Sequence, residues 1–514
     1  MGAIKVRKYH QAKWDEPIIF QLSTPGEIGI TSPYFNYKKK INVPDKIRRD
    51  KLPNLPEISQ SKVLGHYLRL SQETIGGNIF IHGEATCTMK YNPKINDLIS
   101  RSPKVAELHP LQPVETVQGS LEIMYSLDLF LREISGFDKY IFQPASGSQS
   151  IYTMASIIYK YHKVNKNNQK NEIITTLLSH PSNHAASKTR GFKVIDIPPD
   201  PETGLPDIEA FKNVISKKTA GLIICNPEDT EIFNPKIKEI TKMLHEAEAL
   251  CAYDQANVNG LLGLVRAKDM GFDMGFFNLH KAFSSPHGSG GPGSGAVGVI
   301  KDLVEFLPVP TVEYDQKNNF YYLDYNLKYS IGKIREFYGN FNVIIRAYAW
   351  IMSLGEKGLR EVSKISILNN AYLTKKILSE IKGVDISFPK SPHRVSQTRF
   401  TFKKLYDETG ITVDDLSRRL ADFGFHTYSS HHPWVIPEPF SYEPVETYSK
   451  DEIDEFIETL KLVVKEAYEN PKFVKNAPYQ SSIHKLKDLE MLNDYKKWIP
   501  AWRIYFDRYL KEIK

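Results

Sequence analysis

Between residues 139 and 300 the chain repeats one pattern, and that pattern restricts the fold more than any other feature. Short runs that are apolar at nearly every position ("KYIFQP", "EIITTLLSH", "FKVIDIPP", "AGLIICNP", "LCAYDQAN", "MGFFNLH", "GAVGVI") alternate with amphipathic segments such as "IYTMASIIYKYHKV" and "PKIKEITKMLHEAE". A strand with one wet face alternates apolar and polar side chains. A strand with no polar alternation has no wet face, so both of its faces are covered. Helices supply the cover, and the expected fold is α/β with a mostly parallel central sheet. One covering helix precedes the first strand. In "GSLEIMYSLDLFLREI" the residues Leu121, Met124, Leu127, Leu131 and Ile134 recur three or four apart and form a single apolar stripe. Polar residues collect just after the apolar runs: Gln143, His180, Asn226, Asp254, His280 and Lys281. Open parallel sheets bind ligands at the carboxyl ends of their strands, so one site can gather all of these.

The flanks read differently. Residues 1–95 are rich in proline and charge and suggest an extended arm, and residues 96–338 form the large α/β domain. Residues 339–470 carry helical patterns ("FNVIIRAYAWIMSLG", "VSKISILNNAYLTKKILSEI", "DEIDEFIETLKLVVKEAYEN") around a strand-like "QTRFTFKKL", as expected for a smaller C-terminal α+β domain. Residues 471–514 read as a tail packed back on the body. A chain of 514 residues has room for these parts. Its net charge of +7 is scattered, which argues against nucleic acid; "YKKKINVPDKIRRDKLPNLP" reads as a solvated arm. No run is long enough to span a membrane, "MGAIKVRKYHQAKWDEP" has no apolar signal core, and Val6 breaks the myristoylation pattern that Gly2 begins. Cys87, Cys225 and Cys251 stand too far apart for a disulfide framework or a zinc motif, which suits a cytoplasmic chain.

Lys281 ends "GFFNLHK", and six glycines follow between Gly288 and Gly298. G-x-G-x-x-G occurs twice there, yet Pro292 interrupts it and the β-like "AVGVI" follows where a dinucleotide site needs a helix. A phosphate-binding P-loop needs its lysine after the glycines, not before. A lysine at the end of a buried strand loses solvation, which favours the neutral nucleophilic amine that forms an imine with an aldehyde. The matching aldehyde is pyridoxal 5'-phosphate (PLP). Its pyridine nitrogen wants a carboxylate, its ring a flat neighbour, and its phosphate the N–H groups of a helix start. Asp254 ends "ALCAYD", His180 ends "ITTLLSH", and "ASGSQS" offers Gly147 and Ser148 between a strand and a helix. Taken singly, Asp254 reads as a turn or capping residue, His180 as a satisfied histidine, "ASGS" as an ordinary loop and Lys281 as a surface lysine. Their order and spacing together favour PLP covalently bound to Lys281. His426, His431 and His432 lack the cysteine or carboxylate partners of a metal site, and no metal is expected. Glu443 and Glu446 in "YEPVET" read as packing or interface residues ahead of acid/base groups.

At these positions the chain resembles a known family, the glycine cleavage system P-protein, glycine dehydrogenase (decarboxylating), within the PLP-dependent aspartate-aminotransferase-like superfamily. Length and content are similar to subunit 2 of its two-chain form. The resemblance rests on "QLSTPGEIGI", "TCTMKYNPK", "HPLQPVETVQGSLEIMYSL", "QPASG", "YDQANVNG", "MGFDMGFFNLHKAFSSPHGSGGPGSGAVGV" and "YEPVETYSKDEID". It implies a PLP-dependent transferase-like fold and an oxidoreductase that decarboxylates glycine and transfers the aminomethyl group to the lipoyl arm of H-protein. It implies Lys281 as the cofactor-bearing lysine, Asp254 on the pyridine nitrogen and His180 stacked on the ring. Asn183 and Asn257 fall on matching motif positions. His280 and His287 are either proton shuttles or fixers of the cofactor loop. The implied partners are glycine dehydrogenase subunit 1 and H-protein, in a heterotetramer of two subunit types. The chain departs from the family pattern at "SGSQS", "HPSNHAAS", Gln255 and Ala282. The rival functions are another PLP-dependent amino-acid decarboxylase and a divergent scaffold subunit.

Overall fold

The computed structural model describes residues 6–30, 42–51, 55–76, 83, 90–285, 291–427 and 434–484. The apolar runs become a seven-stranded sheet: β1 (Lys139–Ile141), β2 (Glu172–Thr176), β3 (Lys193–Ile197), β4 (Thr219–Cys225), β5 (Leu250–Gln255), β6 (Met274–Asn278) and β7 (Gly295–Val299). Their order is β1-β7-β6-β5-β4-β2-β3. Only β7 runs against its neighbours; the pairs from β6 through β3 are parallel. This is the mostly parallel α/β sheet that the sequence implies. β2, β5, β6 and β7 are buried along their whole length, and only β3, at the sheet's edge, shows solvent along most of its residues.

Strand periodicity divides the apolar side chains between two cores. Ile174, Leu222, Ile224, Tyr253 and Phe277 join one cluster with Leu121, Met124, Leu127 and Leu131 of the helix Gln118–Ser135. Ile173, Ile223, Ala252, Phe276 and Val297 join another with Ile151, Met154, Ile157 and Ile158 of the helix Gly147–Val164. Each such side chain, fully buried, stabilises the fold by roughly 1.5–3 kcal/mol, so the helical stripe alone commits its helix to the sheet. That helix stops at Gly136, whose φ of 82° closes it in the left-handed conformation. Gly298 on β7 shows why glycine recurs here: a Cβ on it would lie 2.3 Å from the Tyr140 ring.

Within the same compact unit, residues 341–380 are helical, with a break at Gly355 (φ 63°, ψ −173°) that separates the two helical patterns seen in the sequence. A small antiparallel sheet follows, β10 (Asp385–Ile386), β11 (Thr398–Thr401) and β12 (Pro439–Tyr442), covered by the helix Lys450–Glu469. The hairpin β8 (Thr311–Asp315) and β9 (Phe320–Asp324) carries no strong apolar alternation and is an addition to the elements read from the sequence.

A second unit takes in residues 7–75, 421–424 and those from 475 onward. Its one described α-helix, Gln60–Gln72, buries His66, and Glu16 accepts from His66 Nδ1 at 2.6 Å and Arg69 Nη2 at 2.8 Å. The N-terminal arm meets the start of the tail: Gln11 donates its backbone N–H to Gln480 O at 2.9 Å, and Ser482 N–H donates to Gln11 Oε1 at 2.7 Å. Among the described residues no helix is long and apolar enough to cross a membrane.

Candidate active site

The residues singled out by sequence return to one edge of the sheet. Asp254 stands one residue from the end of β5, facing Cys225 on β4 and Phe276 on β6 in register. It is buried, and its Oδ1 accepts the N–H of Ala256 at 3.0 Å. Lys281 lies in the turn that leaves β6, where its N–H donates to Asn278 O at 3.0 Å and its carbonyl accepts from Ser284 N–H at 3.1 Å. Its side chain is half-buried. Because β5 and β6 are neighbours, Asp254 and Lys281 leave the sheet on adjacent strands and in the same direction.

His280 is buried, with Nδ1 3.0 Å from Ser294 N and 3.1 Å from Ser294 O, tying the turn after β6 to the start of β7. A Cβ on Gly293 would lie 2.8 Å from both Ala145 O and His280 Nδ1, so a glycine is needed for this approach. His287 lies outside the described residues.

The helix Gly147–Val164 starts at the same edge. Ser146 caps it, its side chain accepting from Gln149 N–H at 3.2 Å, while Gln149 Oε1 accepts from Ala145 N–H at 2.7 Å. The first N–H groups of a helix have no acceptor inside it and favour an anion. Gly147 and exposed Ser148 occupy that position. A Cβ on Gly147 would reach Asn278 Nδ2 at 3.0 Å.

β2 ends at Thr176, four residues before His180, where the sequence suggested a continuous run. The reason is Pro181, which opens the helix Pro181–Thr189 with His180 as its N-cap. His180 Nδ1 accepts Ser182 N–H at 3.2 Å, and the residue is exposed. Asn183, fully buried in that helix's first turn, donates Nδ2 to Cys225 Sγ at 3.7 Å. Asn257 donates Nδ2 to Glu443 Oε1 at 2.6 Å, so its amide faces the C-terminal part of the chain.

Several buried polar atoms at this edge have no partner in the protein: Gln143 Nε2, Asn183 Oδ1, Gln255 Oε1, Asn278 Oδ1 and Ser294 Oγ. Leaving a buried polar group unpaired costs about 1–3 kcal/mol, so their gathering marks a place built for something polar. Burial, then the negative charge of Asp254, pushes the Cys225 thiol up and keeps it protonated.

The loop after β4 holds groups the sequence reading passed over. Glu228 is buried, and burial pushes its carboxyl up to about 8, against a hydrogen bond from Thr176 that works the other way. Burial and then the charge of Glu443 push Glu231 up to about 8 as well. The signal available was "NPEDTEIFN", three acids inserted between apolar strands. Lys90 was also missed. It is buried, donates to Glu446 Oε1 at 2.6 Å and to Asn259 Oδ1 at 3.1 Å, and lies 4.8 Å from the centre of the Trp350 ring.

Among the described residues one His/Cys/carboxylate group could reach a single metal ion: His245, Cys251 and Asp273. It lies at the opposite edge of the sheet, and His426 is not part of it; His431 and His432 fall outside the described residues.

Residues 141–412 match the family Aminotransferase class-V, and residues 362–484 match Glycine dehydrogenase, C-terminal domain. The chain is 45% identical over 507 residues to the probable glycine dehydrogenase (decarboxylating) subunit 2 of Pyrococcus furiosus, covering 98% of each chain. It is 41% identical to the protein of that description from Caldanaerobacter subterraneus, over 94% of this chain and 98% of the relative. A crystal structure of glycine decarboxylase (P-protein) of the glycine cleavage system, in inhibitor-bound form, superposes with a TM-score of 0.69 at 17% identity, covering 82% of this chain and 93% of that one. A NifS-like protein superposes at 0.58, 15% identity, over 75% and 100%.

Proposed function

Because the chain belongs to the family of glycine dehydrogenase (decarboxylating) subunit 2, we propose that Lys281 holds PLP covalently and that the chain decarboxylates glycine and passes its aminomethyl group to the lipoyl arm of an H-protein. The enzyme is PLP-dependent, as its aminotransferase class-V fold implies. The observation that carries the assignment of residues is the pairing of Asp254 and Lys281 at the carboxyl ends of adjacent strands, beside a capped helix start.

Bound there, PLP supplies a conjugated ring that takes up the electron pair left when carbon dioxide departs. Lys281, half-buried in the turn after β6, would hold the cofactor's aldehyde through its side-chain amine. Asp254 would hold a proton on the pyridine nitrogen, the role that keeps such a ring able to accept electrons. The N–H groups of Gly147 and Ser148 would take the phosphate, with Ser146 fixing the turn. His180 would cover the ring face, and Asn183, buried in the same helix's first turn, would offer its unpaired oxygen. His280, locked to Ser294, holds the turn bearing Lys281 in place. In the overall transfer the bond from glycine Cα to its carboxylate breaks and carbon dioxide leaves. Cα then bonds to one lipoyl sulfur as the S–S bond breaks, and the second sulfur takes a proton.

The fit of the site to PLP rests on this chain's own features. The unpaired polar atoms ring the strand ends, Gly293 leaves no space for a side chain, and a Cβ on Gly147 would crowd Asn278. The chain works with glycine dehydrogenase subunit 1, in a cytoplasmic heterotetramer of the two subunit types. Leu64, Tyr67 and Leu68, exposed on the helix Gln60–Gln72, support an arm that is covered in the assembly.

Borohydride reduction of the complex of both subunits, followed by peptide mapping, should place the pyridoxyl label on Lys281. Carbon dioxide should exchange into the carboxyl group of glycine only when lipoyl H-protein is present. A label elsewhere overturns the residue assignment. Exchange with a different amino acid would make the chain another decarboxylase, and no visible cofactor band in folded, PLP-saturated complex would make it a scaffold.

A further inference from the structure

The loop that follows Asp254 is held by a buried polar network that the reaction itself does not use. Asp254 Oδ1 accepts Ala256 N–H at 3.0 Å, and Asn257 Oδ1 accepts Asn259 N–H at 3.1 Å, so two successive side-chain turns shape the segment. Each asparagine is then gripped from the C-terminal part of the chain. Asn257 Nδ2 donates to Glu443 Oε1 at 2.6 Å. Asn259 Nδ2 donates to Glu446 Oε2 at 3.0 Å and to Ser366 Oγ at 3.1 Å. Lys90 closes the network by donating to both Glu446 Oε1 and Asn259 Oδ1 while its charge faces the Trp350 ring. Lys90 and Asn259 have 1% and 0% of their surface exposed.

A buried ammonium is costly, and well-packed apolar residues commonly stabilise such a position as well or better. Here both polar atoms of the Asn259 side chain are used, and the donor-only ammonium fixes which way its amide points. The result is a loop held through the side chains of both asparagines. Gly260 continues the constraint, since a Cβ on it would lie 2.2 Å from Val395.

We propose that Lys90, Glu446 and Asn259, with the Asn257–Glu443 pair, act as positioning residues that hold the 254–260 loop so that the Asp254 carboxylate is aimed correctly at the cofactor's ring nitrogen. The cofactor part of this inference rests on the function proposed above; the clamp on the loop does not. Groups that orient a metal's direct ligands change affinity or activity by about 10–100-fold when removed, and an effect of that order is expected for the groups that orient Asp254.

The test uses the full-length chain in complex with its partner subunit. Asn259→Ala releases the loop while leaving the Lys90–Glu446 ion pair intact. Lys90→Met removes the cation, and Lys90→Arg retains it. In cofactor-free protein, amide exchange over residues 254–260 should quicken about tenfold in Asn259→Ala, with β4 and β6 unchanged. The PLP dissociation constant should rise about tenfold, and the pH at which the bound cofactor's visible band titrates should move. Lys90→Arg should recover most of what Lys90→Met loses. If Lys90→Met does not fold, Asn259→Ala decides. Folded Asn259→Ala with unchanged exchange, or with faster exchange but unchanged cofactor affinity and band titration, overturns the proposal. If the unaltered complex takes up no PLP, the functional reading fails, while the exchange measurement still reports on the clamp.

Discussion

The two edges of the central sheet carry the same side-chain types and put them to different ends. At the carboxyl edge stand Cys225, Asp254 and His280; at the amino edge stand Cys251, Asp273 and His245. The amino-edge group is closed. Asp273 Oδ2 accepts His245 Nε2–H at 2.9 Å and Cys251 N–H at 2.7 Å, and Cys251 Sγ faces Thr241 O at 3.8 Å. This Asp pins the start of β6 to β5 and to the helix Ile237–Glu246. At the carboxyl edge, buried atoms of Gln143, Asn183, Gln255, Asn278 and Ser294 have no partner in the protein. A constellation of reactive residue types is therefore not by itself a site; the unpartnered atoms around Asp254 and Lys281 distinguish them from the closed His245, Cys251 and Asp273 cluster.

The contrast breaks first, if at all, at Lys281. Lys281→Ala should lower glycine-dependent carbon dioxide exchange by at least ~10³-fold while leaving the melting temperature of the cofactor-free complex nearly unchanged. Asp254→Asn and Asp273→Asn form the direct comparison. The first should lower exchange by about 10²-fold or more with little loss of stability. The second should leave exchange intact and destabilise the fold by roughly 1–3 kcal/mol, read by denaturant titration.

Glu228 sharpens the comparison through pH. Its carboxyl is raised from 4.5 to about 8 by burial, so the folded state binds a proton that the unfolded state has released. Stability from this group is complete below pH ~4.5 and is lost as pH rises through about 8, a total on the order of a few kcal/mol. Glu228→Gln should therefore lift the melting temperature more at pH 8.5 than at pH 6; equal shifts would place the charge elsewhere. The smallest effect belongs to His245, whose hydrogen bond to Asp273 raises its pKa against partial burial. The imidazolium–carboxylate contribution is present below the ordinary histidine range and fades as pH rises above it. Solvent screening holds it to under ~1 kcal/mol, so His245→Gln should narrow the stability difference between pH 5.5 and pH 8 only slightly.

Much of this architecture was legible from periodicity. The Leu121–Leu131 stripe is buried as its spacing requires, and all seven apolar runs became strands of one sheet. Lys281 and Asp254 stood out only together: each alone has a bland reading, and it was their order after successive apolar runs that pointed to one site. The ends of elements were less clear. "EIITTLLSH" reads as one strand because leucines fit a strand or a buried turn equally, and only Pro181 indicates the helix start that shortens it. Lys90 was invisible for a different reason. Its partners lie 169 and 356 residues away, and no local pattern encodes a contact at that range.

That separation bears on how the molecule is made. The strands of the sheet can begin to pair from neighbouring segments, but the ammonium at 90 must wait for the carboxylate at 446 to be synthesised. The loop after Asp254 is thus among the last parts to set, and a chain arrested on the ribosome before that point holds the sheet without the clamp on that loop.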